Sequence, residues 1–238
     1  MRLALFDIDG TLLSAAGSGR RAIDAAFQDF FGWSAPADYW FDGKTDRQIV
    51  RELMRAEGHD DVAIDGRMDA LLGRYLECLH RELRDPAYHP RLYPGVAALL
   101  DALEARGDIV VGLLTGNVEP GAQAKLAAVG LDPARFVVGA FGSDHESRPE
   151  LPHVAQRRAR ETLGLDVSGP AIVVIGDTPA DIACGRGIGA RAIGVATGRY
   201  STAELEAHAP SAVFRDLAAT DRVVAAIVGD TRVGGPDA

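Results

Sequence analysis

Four aspartates that follow apolar runs are the residues of this sequence best suited to chemistry. Asp7 and Asp9 follow one such run, and Asp177 and Asp181 follow another. Short apolar runs of this kind are typical of buried strands, and the carboxyl ends of parallel strands lie at one edge of a sheet, where ligands bind. The first pair alone would also fit an ordinary Asp-Gly turn. Together, the two pairs predict that several carboxylates converge on one crevice.

Carboxylates that share a pocket repel one another, so such a pocket needs a cation. Each close pair repels by roughly 3 to 4 kcal/mol at an effective dielectric constant near 20. Oxygen ligands without a His or Cys cluster favour a hard cation, and Mg²⁺ commonly binds through a few carboxylates, waters and substrate phosphate. The metal, a basic side chain and strand-end amides would neutralise a phosphate dianion. The pattern therefore indicates phosphoryl transfer assisted by Mg²⁺.

A third apolar run, residues 109–114, ends at the sequence Thr-Gly-Asn. In chain order, the three strand ends read Asp-x-Asp-Gly-Thr, Thr-Gly-Asn and Gly-Asp-Thr-x-x-Asp. With these motifs the chain resembles the haloacid dehalogenase superfamily over nearly its whole length, specifically the Asp-x-Asp phosphatases of the phosphoglycolate phosphatase kind. The first and last motifs are specific, whereas Thr-Gly-Asn counts mainly through its position.

The resemblance implies a role for each motif residue. Asp7 would be the nucleophile, forming an aspartyl-phosphate and also ligating the metal. Asp9 would bind Mg²⁺ through its backbone carbonyl and use its carboxyl as general acid and base. Asp177 would complete the metal coordination, and Asp181 would hold a metal-bound water or the basic residue. Phosphate oxygens would be bound by three residues of the second motif, Thr115, Gly116 and Asn117.

The basic residue is where this sequence departs from the family pattern. Resembled enzymes carry a lysine between the second and last motifs, yet the only lysines here are Lys44 and Lys125. Lys125 falls within the helix expected after Thr-Gly-Asn, and we expect it to be a solvated surface charge. Arg148 is the best positional match, because an Arg-Pro pair precedes a helix there, as Lys-Pro does in the family; a surface or helix-start arginine is the alternative. Two arginines further along that helix could substitute for it, Arg157 and Arg158.

Residues 15–88 are predicted to form a helical insertion. Apolar residues have helical spacing in residues 17–31, 45–56 and 68–83, and no strand-like run occurs before Tyr93. A block of this length is too long for an ordinary connection between strands, so it should have its own small core. The family places a helical cap at this position in the chain.

The cap also supplies candidate substrate contacts. Lys44 and Arg47 follow a glycine turn at an expected helix start, and resembled enzymes place a cap loop of this kind over the active site. A solvated cluster of charges at the helix start is an equally good interpretation.

Helix and strand alternate regularly after residue 94, which predicts a parallel sheet covered by helices on both faces. We therefore expect an α/β fold, with a Rossmann-like catalytic core built from residues 1–14 and 89–238 and the cap inserted between them. The polar tail, residues 229–238, is expected to fray.

Composition narrows the partners. The net charge of −9 argues against sequence-independent nucleic-acid binding, which needs a clustered basic face. No apolar stretch approaches the roughly 20 residues of a membrane span, and the first strand begins too early to leave room for a signal peptide. We expect a cytoplasmic monomer or homodimer. Cys78 and Cys184 lack metal-ligand spacing and are expected to be reduced, packed thiols.

The expected activity is hydrolysis of a small phosphorylated metabolite, phosphoglycolate-like or a sugar phosphate, by a Mg²⁺-dependent phosphatase. Asp9 disfavours a 2-haloacid dehalogenase or a phosphonoacetaldehyde hydrolase, since both lack this second aspartate. Two alternatives stay open. A sugar-phosphate mutase shares every core motif, and a catalytically weak scaffold would merely bind a phosphorylated ligand.

Overall fold

The strand that leads to Asp7 lies at the centre of the main sheet. In a computed structural model of the chain, which describes residues 1–229, six strands form this sheet in the order β5-β4-β1-β6-β7-β8, and every neighbouring pair is parallel. The predicted α/β fold with a parallel sheet is confirmed. The strands within the described residues are β1 (Arg2–Phe6), β2 (Leu13–Ser14), β3 (Arg91–Leu92), β4 (Ile109–Leu114), β5 (Val138–Ala140), β6 (Ile172–Gly176), β7 (Arg191–Val195) and β8 (Ala212–Phe214).

The strand order brings the three motifs together. β1 pairs with β4 on one side and with β6 on the other, so that Phe6 lies opposite both Leu113 and Ile175. The chain first extends the sheet from β1 through β4 to β5 and then returns to the other side of β1. A crevice forms at the carboxyl ends of the strands where the order reverses, and all three motifs begin there.

Helices cover both faces of the sheet and also form the insertion. Alternate side chains of β1 face opposite ways, so Ala4 and Phe6 belong to one apolar cluster and Leu3 and Leu5 to another. The helices are α1 (Ser18–Phe31), α2 (Asp46–Ala56), α3 (Asp61–Glu82), α4 (Val96–Glu104), α5 (Glu119–Ala128), α6 (Leu151–Leu163), α7 (Pro179–Cys184), α8 (Thr202–Glu206) and α9 (Thr220–Val228).

Helices α1 to α3 pack on one another around an apolar cluster of their own, which includes Phe27, Leu53 and Tyr75. This is the small core expected of the insertion, and the proposed domain boundaries stay a prediction. The predicted start of the third helix, residue 68, is wrong. The helix begins at Asp61, because Asp60 caps it by accepting a hydrogen bond from the Ala63 N–H at 2.8 Å.

The two segments that join the insertion to the sheet pair with each other. β2 and β3 form a short antiparallel ribbon, with Leu13 opposite Leu92 and Ser14 opposite Arg91. The prediction that nothing strand-like precedes Tyr93 is therefore wrong. Two-residue strands are too short to produce a readable alternation. The edge strand β8 and the short helix α8 were also not predicted from the sequence.

Three further expectations from the sequence concern the two cysteines, membrane-spanning helices and the polar tail. Cys78 and Cys184 are buried and unbridged, as expected. In residues 1–229, no helix combines the length and apolar character that crossing a membrane requires. Apart from Gly229, the tail expected to fray lies outside the described residues.

Candidate active site

Three buried aspartates meet at the carboxyl edge of β1 and β6. Asp7, Asp177 and Asp181 each offer a carboxylate oxygen, and these oxygens all lie within 4.8 Å of one another. Burial raises the pKa of Asp7 to about 7, with further increases from the nearby Asp181 and Asp9 charges, although Arg148 opposes them. The pKa of Asp177 is likewise held well above its usual range by burial and by the neighbouring carboxylates. A divalent cation bound by this oxygen-only set would offset the repulsion.

Arg148 lies against the first of these aspartates. Its side chain is only 5% exposed, and it donates a hydrogen bond to Asp7 Oδ1 at 3.0 Å and another to Asp181 Oδ1. Burial alone would lower the pKa of Arg148, but the Asp181 and Asp7 carboxylates raise it above its ordinary value. The two arginines considered as substitutes lie elsewhere, since Arg157 is exposed and Arg158 binds Asp144 at 2.6 Å.

The start of α7 fixes the orientation of Asp181. Thr178 is the N-cap residue: its backbone N–H donates to Asp181 Oδ2 at 3.0 Å, and its hydroxyl accepts from the Asp181 N–H at 3.2 Å. This capping box engages one carboxylate oxygen. The other oxygen is left to Arg148.

Asp177 is held close to the backbone of the first motif. The Thr11 hydroxyl donates to Asp177 Oδ1 at 3.0 Å. Gly10 has φ +85°, and a Cβ there would lie 2.2 Å from Asp177 Oδ2. Glycine is therefore required at this position both by the left-handed conformation and by the approach of the carboxylate.

The second motif forms the opposite wall. The Asn117 side-chain amide donates to Thr115 Oγ1 and to Asp9 Oδ2, each at 2.8 Å. A Cβ on Gly116 would lie 2.0 Å from the Lys44 carbonyl oxygen, so this turn packs directly on the cap. The Asp46 N–H completes the contact by donating to the Gly116 carbonyl at 2.8 Å.

Lys125 belongs to this site, and the prediction that it is a solvated surface charge is wrong. The residue is only 4% exposed. Its ammonium group donates to Asp9 Oδ2 and to Asn117 Oδ1, each at 2.6 Å. Lys125 lies on the face of α5 that Ala122 and Leu126 bury against the sheet. The apolar stem is therefore covered, and the charge has reached carboxylate and amide oxygens.

The two candidate substrate contacts of the cap differ in position. Lys44 lines the cavity above the aspartates, but its ammonium group donates to Glu52 at 2.6 Å and lies 4.1 Å from the centre of the Tyr39 ring. Arg47 does not line this cavity; it lies 3.7 Å from Asp69, whose side chain is 97% exposed. The interpretation as a solvated helix-start charge therefore describes Arg47 better.

A cavity of about 250 Å³ lies between the cap and the edge of the sheet. Its floor carries residues of all three motifs, together with Lys125 and Arg148. The cap side combines apolar and aromatic side chains, among them Ile23 and Tyr75, with charged side chains such as Lys44. A cleft of this size suits a small molecule whose phosphate end faces the aspartates.

A sequence model of the family described as haloacid dehalogenase-like hydrolase matches residues 4–186. The chain belongs to this family.

Relatives of this hydrolase include named phosphatases. It is 30% identical over 226 residues to a phosphoglycolate phosphatase of Rhodospirillum rubrum, covering 91% of this chain and 88% of that protein. It is 29% identical over 198 residues to the N-acetylmuramic acid 6-phosphate phosphatase of Pseudomonas putida, covering 83% and 84%. The structure of CbbY from Rhodobacter sphaeroides in complex with phosphate has a TM-score of 0.70 at 22% identity, covering 92% and 95%. At that identity the structural likeness shows the fold alone.

Two buried residues of this hydrolase were not predicted from the sequence to belong to the site, Lys125 and Asp46. Asp46 Oδ2 accepts a hydrogen bond from the Val118 N–H at 2.8 Å, and burial raises the pKa of this carboxyl to about 6. Asp46 is the first residue of α2 and looked like an ordinary helix-start charge. One signal was available for Lys125, because it shares a helix face with Ala122 and Leu126.

Proposed function

We propose that this hydrolase is a Mg²⁺-dependent phosphatase that acts on a small phosphorylated metabolite through an aspartyl-phosphate on Asp7. Its class, phosphoric monoester hydrolase, follows from the family and from the relatives that are phosphatases. One observation carries the mechanism: Asp7 is buried at the floor of the cavity beside two further carboxylates and one guanidinium group.

In the first step, a carboxylate oxygen of Asp7 attacks phosphorus and the bond from phosphorus to the ester oxygen breaks. Asp9, whose side chain faces the same cavity, gives its proton to the departing oxygen. In the second step, Asp9 takes a proton from water, which attacks the phosphoryl group. Inorganic phosphate leaves, and the Asp7 carboxylate is restored.

The residues present fit a hard divalent cation. Asp7 and Asp177 would hold it through side-chain oxygens and Asp9 through its backbone carbonyl, while Asp181 orients Arg148. The cation would neutralise charge on the phosphoryl oxygens. Arg148 would bind one of those oxygens while staying paired with Asp7. Thr115 and the Gly116 N–H would bind others.

The size of the cavity favours a small substrate. A volume of about 250 Å³ suits a short phosphorylated acid or a sugar phosphate better than a macromolecule. Cytoplasmic location, the absence of nucleic-acid binding and the monomeric or homodimeric state stay predictions from the sequence.

The test is release of inorganic phosphate from p-nitrophenyl phosphate and from a panel of metabolite phosphates, with Mg²⁺ or with a chelator. We expect turnover that requires the metal and that Asp7→Asn abolishes. Asp69→Asn makes the same chemical change at an exposed position and should keep full activity. Turnover by Asp7→Asn at the wild-type rate would rule out the proposed nucleophile.

The same panel separates the two alternatives. A sugar-phosphate mutase would need a hexose bisphosphate and would form an isomer rather than free phosphate. A scaffold would bind a phosphorylated ligand without releasing phosphate from any member of the panel.

A further inference from the structure

Lys125 contacts a carboxylate different from the one that Arg148 contacts. Arg148 lies against Asp7, where the proposed mechanism places phosphoryl transfer. Lys125 lies against Asp9, where the mechanism places proton transfer. Two carboxylates only two positions apart in the chain are therefore paired with two different cations, Lys125 with Asp9 and Arg148 with Asp7.

The bonds to Asp9 fall on a single oxygen. Lys125 Nζ and Asn117 Nδ2 both donate to Oδ2, at 2.6 and 2.8 Å. Among residues 1–229, no hydrogen bond joins the other oxygen, Oδ1, to a protein group. The Asp9 side chain is 41% exposed, on the side that lines the cavity. One oxygen is anchored, and the other is left to meet a substrate.

The Lys125 ammonium group lies between the cap and the second motif. Gly19 of the cap lies beside it, and a Cβ at that position would be 3.3 Å from Lys125 Nζ. Asn117 Oδ1 accepts a second hydrogen bond from the ammonium group at 2.6 Å. Lysine is rarely buried without partners, and here the partners are two groups of the reaction site.

We propose that Lys125 is a positioning residue, which holds Asp9 through Oδ2 so that Oδ1 carries the transferred proton to the departing oxygen. This inference rests on the proposed function, because it assigns a proton-transfer role to Asp9. Lys125 acts through Asp9 and need not touch the phosphoryl group.

The role predicts that the loss on mutation depends on the leaving group. An alkyl phosphate needs a proton on its departing oxygen, whereas p-nitrophenolate leaves without one. The constant kcat/KM reports the steps up to release of the alcohol or phenol. For Lys125→Met we expect the kcat/KM ratio of glycerol 2-phosphate to p-nitrophenyl phosphate to fall by about 10- to 100-fold. This loss is smaller than that of deleting a general acid, because Asp9 remains.

Arg158→Met is the matched control, because Arg158 also pairs with a carboxylate, at 2.6 Å, but does not line the cavity. It should leave that ratio unchanged. If Lys125→Met does not fold, Lys125→Gln keeps a hydrogen-bond donor without the charge, and the same ratio decides. An equal loss on both esters, or no loss, overturns the inference and leaves the proposed function standing. A wild type that releases phosphate from no ester of the panel overturns the two together.

A second readout does not depend on activity. With two lysines in the chain, labelling lysine Nζ with ¹⁵N gives at most two ammonium signals in an NMR spectrum. Lys125 should give the slowly exchanging signal, assigned by its loss in Lys125→Met. Asp9→Ala should shift or broaden that signal and leave the Lys44 signal in place. A Lys125 signal unchanged by Asp9→Ala would show that the two groups do not touch.

Discussion

Replacing Arg148 with methionine should strongly destabilise the metal-free protein. The substitution keeps most of the apolar stem but removes hydrogen bonds to Asp7 and Asp181, both of which are buried. Breaking a buried ion pair by removing one partner typically costs about 3 to 5 kcal/mol, because the remaining charge is uncompensated. For a chain of this length, each kcal/mol shifts the Tm by about 2 to 4 °C. We therefore expect a Tm lowered by roughly 6 to 20 °C.

The measurement is thermal and urea unfolding in the presence of a chelator. Arg158→Met is the matched control, because that arginine lies in α6, also binds a carboxylate, and is more exposed at 35%. It should cost about 1 kcal/mol or less. Added Mg²⁺ should restore part of the stability of Arg148→Met, since the metal would neutralise the same aspartates. Equal losses in the two variants would refute the argument that Arg148 offsets the carboxylate cluster.

Three further predictions follow from individual contacts. The raised pKa of Asp46, about 6, means that the folded state binds more protons than the unfolded state, so the wild type loses stability as the pH rises. Asp46→Asn lacks this loss and should gain up to about 3 kcal/mol of stability relative to wild type between pH 4 and pH 7. Urea midpoints of the two proteins that change in parallel across this range would contradict the prediction. Gly10→Ala should weaken Mg²⁺ binding in calorimetry, because the new Cβ would clash with Asp177. Gly130→Ala is the control, since Gly130 has a similar positive φ but open space around it, and this variant should keep the wild-type affinity. Equal Mg²⁺ affinities in the two variants would count against the clash. Each cation that lines the cavity is already paired with a carboxylate of the protein, so none is left to bind a second anionic group of the substrate. We therefore expect a higher kcat/KM for 2-hydroxyethyl phosphate than for 2-phosphoglycolate, which carries a carboxylate in addition to its phosphate. The reverse order would mean that a paired cation is released to bind the substrate carboxylate.

Much of the fold could be predicted from local pattern. The apolar runs before Asp7, Thr115 and Asp177 are buried strands, because uninterrupted apolar sequence is stable only where both faces of a strand are covered. The parallel arrangement follows from the helices between the strands. Arg148 was found through the family resemblance, because it precedes a proline and a helix as the lysine of the family does. Segments of two or three residues, such as β3 and β8, carry too little pattern to be recognised and form only where neighbouring strands supply hydrogen bonds.

The sequence by itself determined the chemistry that the chain can offer, since the order and spacing of its aspartates at strand ends already indicate a cation and a phosphoryl group. Tertiary structure alone decided which basic side chain forms an ion pair with which carboxylate. Lys125 and Asp9 lie 116 positions apart, and the inward face of α5 together with the approach of Gly19 determines whether this ammonium group is solvated or paired. The helix face that Lys125 shares with Ala122 and Leu126 could have signalled its burial, but its partner is distant in sequence, and no local pattern reveals a charge pairing of that kind.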